Sequence, residues 1–365
     1  MLSDAQRALI AAHLRRGRAD PQDGAAAAAA ARRGTSSPLV ELTGGGGGSG
    51  GSRGNGGSGD GVSGGSGGSE RGDGVSGSGG SVSGGGLAVR RLFLVHAIGG
   101  TVHPYAPLAA QLAGDFAAYG LQAPGLTSGS TPAASLGAMT DLYLAAIRSA
   151  QPEGGPYRLS GWSMGGLVAY ELARRLEREG EKVDGLVLLD PPFAVPDDPS
   201  TAASPLEGGS AEGRIAGWFV ADAARTLGRG GDLATAPDPA RSGAAEQLDW
   251  LAGRLDADTA AGAGAPGSAA GVATAVRAEI GRRFAVFRAH TELIAGYRPS
   301  AALHTRTLLV SARHSPNAAA AAQWLALLGP AAATVHVVDA DHYAFLGPPL
   351  VAQVAAAIRT WQEAR

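Results

Sequence analysis

The segment Gly161-Trp162-Ser163-Met164-Gly165 sets a serine between glycines in a G-x-S-x-G pattern. The same pattern surrounds Ser49, Ser63 and Ser66, but those serines lie in a glycine-serine tract with no flanking elements. Ser163 has them. Tyr157-Arg158-Leu159-Ser160 follows a Gly-Gly-Pro turn and reads as a short strand. After it, Val168, Leu172 and Leu176 recur at helical spacing, with Ala169 and Ala173 beside them, up to Gly180. A strand, a sharp turn carrying serine and then a helix form a nucleophile elbow. The helix N-terminus directs free N–H groups and the positive end of its dipole at the serine oxygen.

A serine hydroxyl attacks only when a neighbouring base takes its proton. Histidine suits that task near neutral pH, and a carboxylate then fixes its tautomer. In a fold built around such an elbow the chain order is serine, acid, histidine. His290, His304, His314, His336 and His342 are late enough in the chain. His336 falls inside a strand run. His342, in "DADHYAFLG", falls in the loop between the last strand and the last helix, at the active edge of the sheet. It is the candidate base. The loop after the preceding strand, "RHSPN", offers no carboxylate. Asp190, at the end of the apolar strand after the elbow helix, is therefore the candidate acid, with Asp339 and Asp341 as competitors close to His342.

The oxyanion of the tetrahedral intermediate needs two N–H donors. Met164, directly after the serine, supplies one. Ile98, in the loop "HAIGGTVHPY", supplies the other, and Gly99-Gly100 lets that backbone approach a substrate. His96 is read as holding this loop rather than acting in catalysis.

These residues require a sheet to position them. "SPLVEL" at Ser37–Leu42, Leu92–Val95, Phe116–Tyr119, Val183–Asp190, Thr307–Ala312 and Thr334–Ala340 read as further strands. Helices are expected to end near Gly114 and to cover 135–150 and 349–365. The first expectation for the termini is a short amphipathic helix from a Ser3/Gln6 capping box, followed by an Ala-rich linker, over 1–36. Strands alternating with helices indicate a mostly parallel α/β sheet. The pattern weakens over about 191–281, which reads as a helical lid over the active edge. Trp218, Phe219, Trp250 and Leu251 are candidates to line its pocket or to pack its helices.

Of the 365 residues, 58 are glycine, and residues 44–86 are more than half glycine. That segment lacks the apolar surface to offset ordering entropy and is expected to be disordered. It separates a first strand at 37–43 from the main body at 87–365. The formal net charge of −2 brings no basic stripe for nucleic acid. The absence of cysteine excludes disulfides, thiolate metal sites and a Cys nucleophile. No metal or bound cofactor is expected. With no membrane-length apolar run and no signal-peptide core, a cytoplasmic protein that binds neither membrane nor nucleic acid is the expectation.

With these residues in place, the chain resembles the thioesterase domains of nonribosomal peptide synthetases and polyketide synthases. The likeness is carried by "SPLVEL", "LFLVHAIGGTVHPYAPLAAQL", "YGLQAPGL", "YRLSGWSMGGLVAYELARRL", "VDGLVLLDPP", "FAVFRAHTELIAGYRP" and "DADHYAFL". It implies an α/β-hydrolase fold, a mostly parallel sheet flanked by helices with a helical lid insertion after strand 6. It implies that Ser163, Asp190 and His342 match the family's triad. An acid on this strand is more like the release domains than the separate editing enzymes. The substrate would be an acyl, peptidyl or polyketide chain on a carrier protein's phosphopantetheine, released by hydrolysis or cyclisation. The chain departs from the family in reading His96-Ala97 where His-Pro is usual. It shows no carrier motif, so an acyl or peptidyl carrier protein is expected in trans. The alternative is a serine esterase or lipase acting on free small-molecule esters.

Overall fold

The computed structural model describes residues 37–43, 90–127, 129–195, 210–262 and 269–364. The helix and linker expected over 1–36 and the tract expected over 44–86 lie outside the described residues. Seven strands form one sheet: β1 (Leu39–Glu41), β2 (Arg90–Val95), β3 (Phe116–Leu121), β4 (Tyr157–Trp162), β5 (Val183–Leu189), β6 (Thr307–Ala312) and β7 (Ala333–Val338). Their spatial order is β1-β3-β2-β4-β5-β6-β7. β1 pairs antiparallel with β3, and every other pair is parallel.

Both faces of this sheet are covered, so its central strands are apolar on both sides. The pleat sends alternate residues to opposite cores. Phe93, Val95, Leu186 and Leu188 join the core beneath α2 (Leu136–Ala150) and α3 (Met164–Arg178). Leu92, Leu94, Val187 and Leu189 join the core beneath α1 (Ala106–Leu112) and α8 (Val351–Glu363). Ser135 caps α2 by accepting from the Ala138 N–H at 3.0 Å. Met139, Tyr143 and Ile147 are fully buried, and Leu136 and Leu142 pack partly buried beside them.

After β5 come the lid helices α4 (Ala211–Thr226), α5 (Ala244–Gly262) and α6 (Ala269–Ile294). The insertion follows the fifth strand in chain order, since the described residues place five strands ahead of it and not six. It also extends past 281. Gly281 is no boundary: a side chain there would meet nothing, and Ile280, Phe284 and Phe287 bury the opposite side of one continuous helix. A helix not expected from sequence, α7 (Ala320–Leu328), connects β6 to β7.

Candidate active site

After the edge strand β1, the chain forms β2, moves outward to β3 and returns to β4 on the other side of β2. The carboxyl ends of β2 and β4 therefore form a topological switch point, where such sheets bind ligands. Val95 is in register with Gly161, and Trp162 with Leu189. The 96–100 loop, Ser163 and Asp190 thus leave three adjacent strands side by side. Tyr105 ties this edge together. Its hydroxyl donates to Val95 O at 2.5 Å and accepts from the Trp162 N–H at 2.7 Å.

Ser163 sits between β4 and α3 with φ 56° and ψ −127°. This is the left-handed region, which a non-glycine residue adopts only when its surroundings enforce it. They do so here. A Cβ on Gly161 would lie 2.0 Å from Gly165 O, and one on Gly165 would lie 2.4 Å from Val95 O. The two glycines let the chain reverse between strand and helix while packing against β2. The Ser163 N–H donates to Leu189 O at 2.9 Å, which pins the turn to β5.

Asp190 also has a positive φ, 48°, and is 1 % exposed. Its N–H donates to Val310 O at 2.7 Å. Its Oδ1 accepts from the Ala312 N–H at 3.0 Å, and Oδ2 lies 2.6 Å from His342 Nδ1. The carboxylate so reaches across the end of β6 to a histidine that follows β7. Nδ1 donates in this pair, which leaves Nε2 as the lone-pair nitrogen. The imidazole packs against Trp162, ring centroids 5.1 Å apart, and against Tyr343 edge-on at 5.1 Å. No hydrogen bond joins Ser163 Oγ to His342 among the described residues. Such contacts tighten when a substrate is bound.

The competing carboxylates are engaged elsewhere. Asp339 bonds His314 Nε2 at 3.0 Å and pairs with Arg313. Asp341 Oδ1 accepts from the N–H groups of Tyr343 and Ala344 at 2.8 and 2.9 Å, shaping the His342 loop.

Met164 opens α3, so its N–H has no acceptor within the helix. The Ile98 N–H donates to no backbone oxygen among the described residues. The loop that carries it is braced by two buried histidines. His96 Nδ1 lies 2.6 Å from Ala97 O and Nε2 lies 2.6 Å from the Tyr143 hydroxyl. His290, from α6, stacks on His96 at 4.9 Å and donates from Nδ1 to Ile98 O at 2.7 Å. Desolvation, then the neighbouring His290, pushes His96 down to about 3, and desolvation pushes His290 down to about 4. Both rings are neutral at neutral pH. His290 Nε2 is then a buried acceptor with no hydrogen-bond partner among the described residues.

Sequence reasoning did not assign His290, Tyr105 or Asp222. His290 shares a helical stripe with Phe287, Thr291 and Ile294, all buried, so its spacing was the available signal. Asp222 follows Ile215 and Phe219 on the inward stripe of α4, where a carboxylate is out of pattern. Of the four lid residues singled out, Phe219 and Leu251 are buried, and Trp218 and Trp250 are partly buried against the same core. Phe219 meets Phe284 and Phe287, and Trp218 meets Phe287. These contacts pack lid helices together. A separate cleft of about 510 Å³, lined by Glu171, Arg174, Arg175, Arg178 and Tyr297, shares no residue with this site. Arg174 there pairs with Glu171 and Arg175 with Asp141.

The sheet, its helical lid and the elbow at the switch point define an α/β-hydrolase domain. Residues 90–224 match the family model described as the thioesterase domain. That segment is similar to parts of polyketide synthases and nonribosomal peptide synthetases. It is 41 % identical over 109 residues to the conidial pigment polyketide synthase alb1 of Aspergillus fumigatus, covering 30 % of this chain and 5 % of that protein. To the dimodular nonribosomal peptide synthase of Bacillus subtilis it is 42 % identical over 99 residues, covering 27 % and 4 %. The chain thus spans a twentieth or less of these relatives' length. In fold it is similar to a four-domain nonribosomal peptide synthetase bound to AMP and glycine, with TM-score 0.58 and 23 % identity, covering 74 % of this chain and 19 % of that one. It is also similar to the Vlm2 thioesterase domain, with TM-score 0.51 and 21 % identity, covering 74 % and 93 %. No helix among the described residues is long and apolar enough to cross a membrane.

Proposed function

We propose that Ser163 accepts an acyl, peptidyl or polyketide chain from the phosphopantetheine thioester of a carrier protein acting in trans, and that the chain is then released. The observation that carries this reading is the buried 2.6 Å pair of Asp190 and His342 beside a serine held in a strained elbow. His342 Nε2 takes the Ser163 proton as Oγ attacks the thioester carbonyl. Asp190 fixes the tautomer and stabilises the imidazolium. The Ile98 and Met164 N–H groups meet the oxyanion. Collapse breaks the C–S bond, and the thiolate leaves with the proton from His342. Water or a nucleophile within the chain then attacks the ester, giving its proton to His342, which returns it to Oγ. The protein itself brings no cofactor to these steps; the pantetheine arm comes with the substrate.

The test is intact-mass measurement after exposure to an acyl-pantetheine thioester and, separately, to the matching oxygen ester. The expected result is an acyl adduct from the thioester that Ser163→Ala does not form, with turnover reduced on the order of 10⁴-fold or more. Adduct formation from the oxygen ester alone favours the free-ester hydrolase. Turnover retained by Ser163→Ala above about a tenth of wild type rules out this serine.

A further inference from the structure

The lid turns one carboxylate toward the site. Asp222 Oδ1 accepts from the Tyr343 hydroxyl at 3.2 Å, on the residue next to His342. Its other oxygen, Oδ2, stands over the oxyanion loop, where a Cβ added to Gly99 would lie 3.4 Å from it. Tyr343 is its hydrogen-bond donor among the described residues, which leaves Oδ2 open to a ligand. The charged or titratable groups that act on it are His342, Tyr343 and Arg225. Burial, its largest influence, lifts this carboxyl to about 6, while His342, Tyr343 and Arg225 pull it down. It is therefore largely ionised at neutral pH.

A carboxylate here works against the chemistry of a plain acyl chain. Negative charge grows on the thioester oxygen beside Ile98 and Met164, and a nearby anion opposes it in a low-dielectric site. An ammonium on the chain, lying between the two, reverses that effect and forms a charge-assisted hydrogen bond with Oδ2. We propose that Asp222 is a specificity-determining residue that receives the free α-amine of an aminoacyl chain, selecting such chains over polyketide or fatty acyl chains. This rests on the reading of Ser163 as the acyl acceptor.

The experiment compares two near-isosteric probes, the leucyl and the 4-methylpentanoyl thioesters of pantetheine, which differ by the amine. With wild type, kcat/KM favours leucyl. Asp222→Asn should lower kcat/KM for leucyl by about ten-fold or more and raise it for 4-methylpentanoyl, so that the preference collapses. Asp222→Ala, in a lid helix that tolerates alanine well, should collapse it equally. A preference within two-fold of wild type in both variants overturns the proposal, whether the two rates fall together or stay. So does a wild type that takes the deamino chain as fast as the amino one. Ser163→Ala runs in parallel: continued turnover of both probes sinks the acyl-enzyme reading, whereas its loss with an unchanged preference sinks the role of Asp222 alone.

Discussion

The carboxyl edge of the sheet and the lid above it are built in different ways. At the edge, backbone geometry does the positioning. Ser163 and Asp190 both hold positive φ values, the glycines around the serine have no room for a Cβ, and strand register brings their turns together. In the lid, side chains do the positioning. Phe219, Phe284 and Phe287 meet ring to ring, and the buried Gln247 donates from Nε2 to Gly213 O at 2.7 Å. Its exposed ion pairs, such as Arg277 with Asp249, are worth little. Backbone geometry is shared by every substrate, whereas lid side chains are exchangeable. On the function proposed above, bond-making belongs to the edge and choice of chain to the lid.

After loss of the serine itself, the largest expected effect on this division is at Asp190. Asp190→Asn keeps the acceptor for the Ala312 N–H but presents the histidine with the wrong partner, so kcat should fall about 10³- to 10⁴-fold. Asp341→Asn loosens a loop cap and should cost less than about ten-fold. Steady-state kinetics on a small thioester decides between them. A severe Asp341→Asn with a mild Asp190→Asn would move the acid and break the backbone-held picture of the edge.

A smaller effect is expected where lid and edge meet. His290 belongs to α6 but donates to Ile98 O, and so steadies the loop that carries the proposed oxyanion donor. His290→Phe keeps a ring stacked on His96 and removes the hydrogen bond. We expect kcat to fall about ten- to a hundred-fold, less than the loss of a donor itself, with KM little changed. Equal changes in KM and kcat would make His290 a packing residue only. The same variant has a pH signature. His96 and His290 stand at about 3 and about 4 in the fold, below their ordinary 6.5. The unfolded chain then binds more protons in that window, so stability falls as pH drops from 6.5. Asp222, raised from 3.8 to about 6, acts in the opposite sense, since the folded chain binds the extra proton there. Two histidines outweigh one half-buried carboxyl, so Tm should fall on acidification, and less steeply in His290→Phe.

The same contrast explains what the sequence disclosed. Edge residues follow local rules: small residues around Ser163, an apolar run ending at Asp190, a polar loop after the last strand at His342. Each is written within a few positions, and each was legible. Strand Thr307–Ala312 was readable to the residue because it has an apolar centre, Leu308-Leu309-Val310, and is bounded by turns. Lid features depend on partners far along the chain. The lid reads from sequence as ending near 281, whereas burial of Ile280, Phe284 and Phe287 keeps α6 continuous past Gly281. His290 acquires its role from Ile98, 192 positions away. Asp222 acquires its own from Gly99 and Tyr343.

The smallest expected effect is at the outer rim. A carrier-borne chain brings the phosphate of its pantetheine arm, an anion that a free small thioester lacks. Arg225 is exposed on α4 with its guanidinium 5.6 Å from the centre of the Tyr343 ring, so it marks the rim on the His342 side. Exposed charges act on encounter rate more than on the bound state, and salt screens them over about 8–10 Å. Arg225→Gln should therefore raise KM for an acyl-carrier substrate a few-fold at low ionic strength. The rise should shrink toward zero at high salt, because the screened arginine no longer contributes in wild type either. For a small acyl thioester without phosphate, the change should be much less at both ionic strengths. The measurement is kcat/KM for the two substrates at low and high salt. A salt-independent change shared by both would mean that Arg225 acts inside the site through Asp222 and Tyr343, which would extend the selective part of the lid outward to its rim. No change for either would place the path of the carrier arm on another side of the lid.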